Sequence, residues 1–399
     1  MLLLLMAGAK ENAVVILAGV RTPFGKFGGA LKDLTATDLG VLAAQAAIQR
    51  AGVPAENIDH VIFGNALQTS SDAIYLARHI GLRAGIPQST PALTLNRLCG
   101  SGFQSIITGT HILLLGEANF VLAGGTESMS QAPHVIRGAR WGMPLGQGKL
   151  EDSLWSALTD SYCDFSMAHT AENLATKYGI TREQADEFAY QSQMRAKLAR
   201  ESGRLNEEIV PVDAVLQSDE HPRLETTLEG LAALQPAFKK NGVVTAGNAS
   251  GICDGAAAVI LSTEARARKN GLKPLAKIVS WGITGCDPSI MGIGPVSAIR
   301  AGLDRAHLGL DQMDLIEVNE AFAAQYLAVE RELRLDRERV NVNGGAIAFG
   351  HPLGATGTRI TVTLMYELKR RRARLGIGSA CIGGGQGIAL LIENIRQHV

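Results

Sequence analysis

Five cysteines, nine histidines and an excess of glycine define what chemistry this 399-residue chain can do. Two cysteines stand apart. Cys99, in NRLCGSGFQS, and Cys381, in SACIGGGQGI, both lie against glycine-rich backbone. A cysteine that merely fills core space needs no glycine beside it. Glycine next to a sulfur lets a substrate approach the main chain and leaves N–H groups free to donate. Cys99 follows a predicted strand and precedes a predicted helix whose first turn holds Gly100 and Gly102. Unpaired N–H groups at a helix start favour a thiolate, so a depressed thiol pKa and a nucleophilic role are expected. His351, in FGHPLGATG, also stands just before a predicted helix. A partial positive charge there keeps the imidazole neutral and able to take the proton of a thiol.

Three glycines follow Cys381, starting at Gly383, and their N–H groups suit an oxyanion hole. Asn319 ends LIEVN and opens NEAFAAQYLAVE, a predicted helix with Glu320 in its first turn; Asn319 either caps that helix or aims its amide into the site. Glu127, in GGTESMS, lacks a carboxylate partner for acid–base work, and a supporting role is expected. Two thiols, an imidazole, an amide and glycine donors together suit acyl transfer through a covalent thioester. With one sulfur holding the acyl group, the other is free to move a proton on a carbon next to a thioester.

The elements that must position these groups repeat. Residues 47–59, AIQRAGVPAENID, align without a gap to 302–314, GLDRAHLGLDQMD, at an offset of 255 (305 − 50). Arg50, Ala51 and Asp59 meet Arg305, Ala306 and Asp314. After the first copy come predicted strands HVIFGN and PALTL (91–95), the Cys99 loop, a helix (102–115) and strand FVLAGG (120–125). After the second come LIEVN, RVNVN (339–343), the His351 loop, a helix (about 356–371) and strand GIGSAC (376–381). The sequence thus predicts two α/β halves related by duplication, with the two loops facing each other across a pseudo-twofold. Between them, 128–250 changes character, with mixed loops, a polar helix (181–202) and charged connections. DGAAAVILS then re-enters the core as a buried strand. The expected divisions are 1–127 with 251–272 as the N-terminal half, 128–250 as a loop domain, and 273–399 as the C-terminal half.

Composition excludes several classes. Lys+Arg and Asp+Glu are both 38, so a general nucleic-acid or anionic-membrane binder is not expected. The run KRRRAR (369–374) reads as a solvated helix end. The cysteines are widely spaced without a C-x-x-C, so neither a disulfide framework nor a metal site is expected. GGGQG follows Cys381 at a strand end and is no dinucleotide fingerprint. A reducing compartment fits, with bacterial cytoplasm first and mitochondrial matrix as the alternative. The N-terminal MLLLLMAGAKEN is too short to span a bilayer and lacks a basic start, so it reads as an extension and no transmembrane segment is expected.

Taken together, RTPFGKFGG (21–29), NRLCGSGFQS, GGTESMS, VTAGNASGICDGAAA (244–258), VNEAFAAQ, GGAIAFGHPLGATG and CIGGGQG resemble the thiolase family over essentially the whole chain. EDSLW, MAHTAENLA and CDPSIMGIGPV make the resemblance greatest to 3-ketoacyl-CoA thiolases (acetyl-CoA acyltransferases) of the mitochondrial type. The resemblance implies a duplicated five-layer αβαβα core, a loop domain that binds coenzyme A, and a homodimer or homotetramer. It implies acyl-CoA and CoA as substrates, with no separate cofactor. Cys99 is then the acylated nucleophile, His351 its activator and Cys381 the acid–base. Asn319 would hold a water that forms one oxyanion hole with His351; the N–H groups of Cys99 and Gly383 would form the other. Leu154, Met167, Arg223, Phe238, Ser250 and Phe322 would line the path of the substrate and coenzyme. Acetoacetyl-CoA thiolases tend to carry His-Met-Gly where this chain has Ser166-Met167-Ala168, which favours a broader 3-ketoacyl range. The expected activity is acetyl-CoA C-acyltransfer. An acetoacetyl-CoA thiolase is the alternative and a non-catalytic lipid-binding relative a distant one.

Overall fold

The computed structural model describes residues 13–395, so the apolar N-terminal run lies outside the described residues. Nine main strands build the frame: β1 (Val14–Arg21), β2 (His60–Gly64), β3 (Ala92–Leu95), β4 (Phe120–Ser128), β5 (Cys253–Thr263), β6 (Ala276–Gly285), β7 (Leu315–Val318), β8 (Leu375–Ile382) and β9 (Gln386–Asn394). They run in the order β7-β8-β9-β6-β1-β5-β4-β2-β3, and the short Gly25–Lys26 strand pairs β5 to complete a mixed ten-stranded sheet. The halves meet where β1 and β6 pair antiparallel, at Val15↔Lys277 and Ile16↔Ala276. Outward from that seam each half repeats one pattern, with a parallel pair (β2 and β4, or β7 and β8) flanked by an antiparallel neighbour.

Side-chain parity shows why five layers form. Strand side chains alternate between faces, and here both faces are apolar. Val14 and Ile16 of β1 join a cluster with Phe103 and Ile360, whereas Val15, Leu17 and Val20 join one with Leu39, Ala43 and Ala47. In β8, Ala380 and Ile382 face the first of these clusters, while Leu375 and Ile377 face a third with Val296 and Ile299. The helices that supply these partners are α1 (Ala36–Ala51), α2 (Ser101–Leu114), α3 (Met167–Tyr178), α4 (Arg182–Glu201), α5 (Gly294–Ala306), α6 (Ala323–Leu333) and α7 (Leu353–Arg371). Helices α2 and α7 form the middle layer, α1 covers one outer face, and α5 and α6 cover the other. Glycine sets the central contact. A Cβ on Gly102 would lie 2.6 Å from the Thr358 nitrogen, and one on Gly357 would lie 2.3 Å from the Phe103 nitrogen.

The duplication extends to individual hydrogen bonds. The Asp59 carboxylate accepts from the N–H groups of Asn119 (2.7 Å) and Phe120 (3.1 Å). Its counterpart Asp314 accepts from Arg374 (2.8 Å) and Leu375 (2.9 Å). Three expectations differ. Residues 339–343 form no strand; Val340 alone bridges Ile316, because Asn341 turns to a φ of 46° and bonds both the N–H and the carbonyl of Val318 with its side chain. Helix α6 starts at Ala323, so Asn319 does not cap it and Glu320 is not in its first turn. Helix α7 begins at Leu353, leaving His351 directly before it.

Residues 128–250 are tied to both halves. Arg21, buried at the end of β1, pairs with Glu208 (2.7 Å) and Asp219 (2.6 Å). On α4, begun by the Thr181–Gln184 capping box, Ser192 donates to Glu320 (2.6 Å). The basic run at the end of α7, whose last turn holds Lys369, Arg370 and Arg371, is largely paired, with Lys369 to Glu207, Arg370 and Arg371 to Glu367, and Arg374 to Glu393. Among the described residues, no helix is long and apolar enough to cross a membrane, and no cluster of His, Cys, Asp and Glu could hold a metal ion.

Candidate active site

Cys99, His351 and Cys381 line one cavity of about 340 Å³ between the halves, and Leu154, Met167, Phe238, Ser250 and Phe322 line it too. Cys99 sits in a single 3-10 turn, Leu98–Gly100, between β3 and α2. Leu98 takes a φ of 47°, costly for a branched side chain. Its N–H bonds Asn96 Oδ1 (2.8 Å), and Ser101 Oγ both donates to the Leu98 carbonyl (2.7 Å) and accepts from the Arg97 N–H (2.9 Å). This loop rests on the second half. A Cβ on Gly100 would meet Ile382 at 2.6 Å, and one on Gly383 would meet both Leu98 and Met167 at 3.3 Å. The Gly383 backbone N–H lies beside the Cys99 sulfur, where it favours the thiolate.

Electrostatics overturn one expectation. Burial pushes the Cys99 thiol up to about 11, outweighing the donors from Gly383 and from its own N–H. The sequence had suggested a depressed value. The helix start is present, but an apolar cavity disfavours a thiolate more than the donors favour it. His351 agrees in direction with the expectation: burial, then the Arg359 charge, brings its imidazole down to about 3. The Cys99 thiol and the His351 imidazole are therefore both neutral at rest.

The tautomer of His351 follows from its neighbours. Asn319 Nδ2, which can only donate, lies 3.3 Å from Nε2. Nδ1 then carries the hydrogen and donates to Thr356 Oγ (2.6 Å), whose own hydrogen goes to the Pro352 carbonyl (3.0 Å). Nε2 keeps the lone pair that a thiol proton requires. Asn319 Oδ1 is buried and has no hydrogen-bond partner among the described residues. Just before His351, Gly350 has a φ of 94°, and a Cβ there would lie 2.5 Å from the Cys253 sulfur, so only glycine fits.

Cys381 is buried at the end of β8 against Met291 and Ala321. Burial, and then the nearby Cys99 and Cys286, push its thiol well above the ordinary range. After it the chain turns back through Gly384 and Gly385, at φ 79° and 80°; a Cβ on Gly385 would lie 2.3 Å from the Cys286 carbonyl. Glu127 supports the site from behind. Its carboxylate accepts from Asn65 Nδ2 (2.8 Å), Ala66 N (2.9 Å), Leu67 N (3.0 Å) and Gly354 N (2.8 Å), clamping the first turn of α7 to the N-terminal half. Burial raises it to about 7.

Three expected residues do not line this cavity: Asn319 adjoins it through His351 and Gly383 through Cys99, while Arg223 stands elsewhere. Arg223 lines a neighbouring cavity of about 450 Å³ with Gln193, His221 and Gly247. Thr356 went unnoticed in the sequence, although a hydroxyl in the helical turn after a histidine is a readable signal. Arg21 and its two buried carboxylate partners gave no signal, because their contact spans almost two hundred positions.

A duplicated α/β core with two sulfurs and an imidazole at its internal seam defines the class. The model for the thiolase N-terminal domain matches residues 14–265, and that for the C-terminal domain matches 272–394. The chain belongs to the thiolase family. It is 58% identical over 391 residues to the mitochondrial 3-ketoacyl-CoA thiolase of Homo sapiens, covering 96% of this chain and 98% of that protein. It is 50% identical over 388 residues to an acetyl-CoA acetyltransferase of Pseudomonas aeruginosa, covering 95% and 98%. The crystal structure of the human mitochondrial enzyme in complex with CoA superposes with a TM-score of 0.96, at 58% identity, over 96% of this chain and 98% of that one.

Proposed function

We propose that this protein is an acetyl-CoA C-acyltransferase that cleaves 3-ketoacyl-CoA with CoA, reversibly, giving acetyl-CoA and a shortened acyl-CoA. The observation that carries this reading is the shared cavity of Cys99, His351 and Cys381, with the Gly383 N–H beside the Cys99 sulfur. The Cys99 sulfur attacks the 3-keto carbonyl as His351 Nε2 takes the thiol proton. Coupling the two steps avoids a free buried thiolate, which both pKa directions disfavour. The C2–C3 bond breaks, and the enolate of acetyl-CoA takes the proton of Cys381. The Cys381 thiolate then takes the proton of an incoming CoA thiol, whose sulfur attacks the acyl-Cys99 thioester; the shortened acyl-CoA is released as the leaving Cys99 sulfur takes back the proton held by His351 Nε2. Condensation is the reverse path.

N–H groups of Cys99 and Gly383 suit one oxyanion. The other is served by protonated Nε2 of His351 and by a water on Asn319, whose unpartnered Oδ1 can accept from it. Leu154, Met167, Phe238, Ser250 and Phe322 would hold the acyl and pantetheine parts, and Arg223 in the neighbouring cavity would meet the polar end of the coenzyme. We read 128–250 as the loop domain over that route, between an N-terminal half (1–127 with 251–272) and a C-terminal half (273–399). Exposed Ile74, Tyr75, Trp141 and Leu145 suit a homodimer or homotetramer. All five cysteines are free, which suits a reducing compartment, the bacterial cytoplasm or the mitochondrial matrix. Ser166 caps α3 and bonds His169 Nδ1 (2.8 Å), and its place in the Ser-Met-Ala motif supports the broader 3-ketoacyl range over acetoacetyl-CoA alone.

Incubation with acetyl-CoA, an acid quench and peptide mass analysis test the reading. The acetyl mass is expected on the Cys99 peptide, and label elsewhere, or normal turnover by Cys99→Ser, would overturn it. Cys381→Ala should still be acetylated yet fail to make or break the carbon–carbon bond. Turnover of acetoacetyl-CoA against longer 3-ketoacyl-CoA substrates separates the two chain-length readings.

A further inference from the structure

The nucleophile and its oxyanion donor come from opposite halves of the molecule, so their spacing depends on what ties the two loops together. Apolar contact alone does not fix a hydrogen-bond distance. Gly100 against Ile382, and Gly383 against Leu98, bring the loops near each other but leave them free to slide. Elsewhere the halves are joined by the Thr358 hydroxyl donating to the Gly102 carbonyl and the Gly354 N–H donating to Glu127, but these hold α7 and not the glycine turn; a further directional contact joins the Cys99 loop to that turn. Arg97 Nη1, two residues before Cys99, donates to Gln386 Oε1 at 2.9 Å, between residues 289 positions apart. Both ends are held. The Arg97 N–H is fixed by Ser101 Oγ (2.9 Å), and its carbonyl accepts from the Gly100 N–H (2.9 Å), so the guanidinium rises from the same 3-10 turn that carries Cys99. Gln386 is the first residue of β9 and is paired with Ile382, which closes the 383–385 turn at its base. The turn itself has two positive-φ glycines and no side chains to hold its shape.

We infer that Arg97 and Gln386 form a latch across the pseudo-twofold that sets the distance between the Cys99 sulfur and the Gly383 N–H. Both are positioning residues for acyl transfer; neither touches the reacting atoms. The guanidinium is planar and keeps its charge, so it gives a directional, charge-assisted bond to a neutral amide oxygen without placing a second charge beside the cavity. Loss of the latch lets the glycine turn drift. Misplacement of about 1 Å at a reacting centre lowers turnover by up to about a hundredfold.

This inference deepens the proposed acyl transfer and rests on Cys99 being the acylated sulfur. Single-turnover acetylation of Cys99 and steady-state thiolysis are measured for the wild type, Arg97→Met, Gln386→Met, the double variant, Arg97→Lys and Gln386→Glu. Arg97→Met and Gln386→Met should each lower kcat and the acetylation rate about 10- to 100-fold with KM for CoA within about twofold. The double variant should be no slower than the worse single one, because both remove one contact. Gln386→Glu keeps the acceptor and should recover most of the rate. Wild-type kcat in Arg97→Met, additive losses, or a loss confined to KM would overturn the latch. If Arg97→Met does not fold, Gln386→Met against Gln386→Glu gives the same decision. Absence of acetyl on wild-type Cys99 would instead overturn the underlying acyl-transfer reading.

Discussion

The N-terminal and C-terminal halves keep the same frame yet differ where their loops face the cavity. Strands β2 and β4 stand 255 positions before β7 and β8, as read from their first residues (315 − 60 and 375 − 120). The strand-to-helix loop of one half is a single 3-10 turn that offers a sulfur; that of the other is longer and offers an imidazole. Strand β4 carries Glu127 just before its end at Ser128, whereas its counterpart β8 ends at Ile382, just after Cys381. One end became a clamp, the other a buried thiol and a glycine turn. Duplication supplied two equivalent loop positions, and the chemistry came from making them unlike. A symmetrical pair of thiols or of imidazoles would lack one of the two groups that the proposed mechanism pairs.

The sharpest break of that comparison removes the imidazole. His351→Asn leaves both thiols and the glycine donors in place but takes away the proposed acceptor for the Cys99 proton. Thiolysis should fall by about 10²–10⁴-fold in kcat. Cys99 acetylation should fall with it, which a single-turnover measurement checks. A His351→Asn enzyme that acetylates at the normal rate would mean that the two loops do not act on one another.

A second test concerns a feature of the first half alone. Arg21 ends β1 and is buried against Glu208 and Asp219, and it binds the intervening region to the core. Arg21→Met strands two buried carboxylates, and loss of about 3–5 kcal/mol is expected in chemical denaturation. The double replacement of Glu208 and Asp219 by Gln and Asn strands the guanidinium instead and should cost a similar amount.

The third test is the titration of Cys99. A thiol raised to about 11 is almost wholly protonated at pH 7, and its thiolate fraction grows about tenfold per pH unit until that value is reached. Alkylation of the Cys99 peptide by iodoacetamide should therefore rise by roughly a hundredfold from pH 7 to pH 9, without a plateau. A plateau near pH 7 would show a resting thiolate and restore the helix-start account of its reactivity. The linked effect on stability has a definite sign. Cys99 is raised in the fold, so its contribution is whole below the ordinary thiol value of about 9 and is lost as pH climbs toward about 11. His351 is depressed, so its contribution is present above about 6.5 and is lost as pH falls toward about 3.

How far the sequence could be read follows from where the information lies. Apolar runs and glycine spacing are local, and α2, α4, β4 and β8 emerged within a few residues of their expected bounds. The gapless match of Asp59 to Asp314 showed the duplication because both carboxylates serve the same pair of N–H groups. Residues 339–343 failed because alternating Val and Asn imitates a strand, while the Asn341 side chain takes the bonds a strand partner would make. The state of Cys99 failed for another reason. A helix start is written in the residues around a cysteine, but its burial depends on Leu154, Met129 and Leu353, brought in from other elements. Arg223 was named only through the family resemblance, and its cavity is distinct from that of the sulfurs.

The gentlest test addresses the frame itself. Asp59→Ala and Asp314→Ala each leave two backbone N–H groups without their carboxylate, at equivalent corners of the two halves. Each should lose about 1–3 kcal/mol in denaturation, and the two losses should agree to within about 1 kcal/mol. The sites lie in separate halves and share no partner, so the double variant should show the sum of the single losses. Activity at temperatures where the variants remain folded should stay near normal, since neither carboxylate lines the cavity. A large difference between the two would mean that the halves, though alike in geometry, do not bear load equally. The intervening region, which grips the first half through Arg21 and the second through Glu320, would then be the element that makes them unequal.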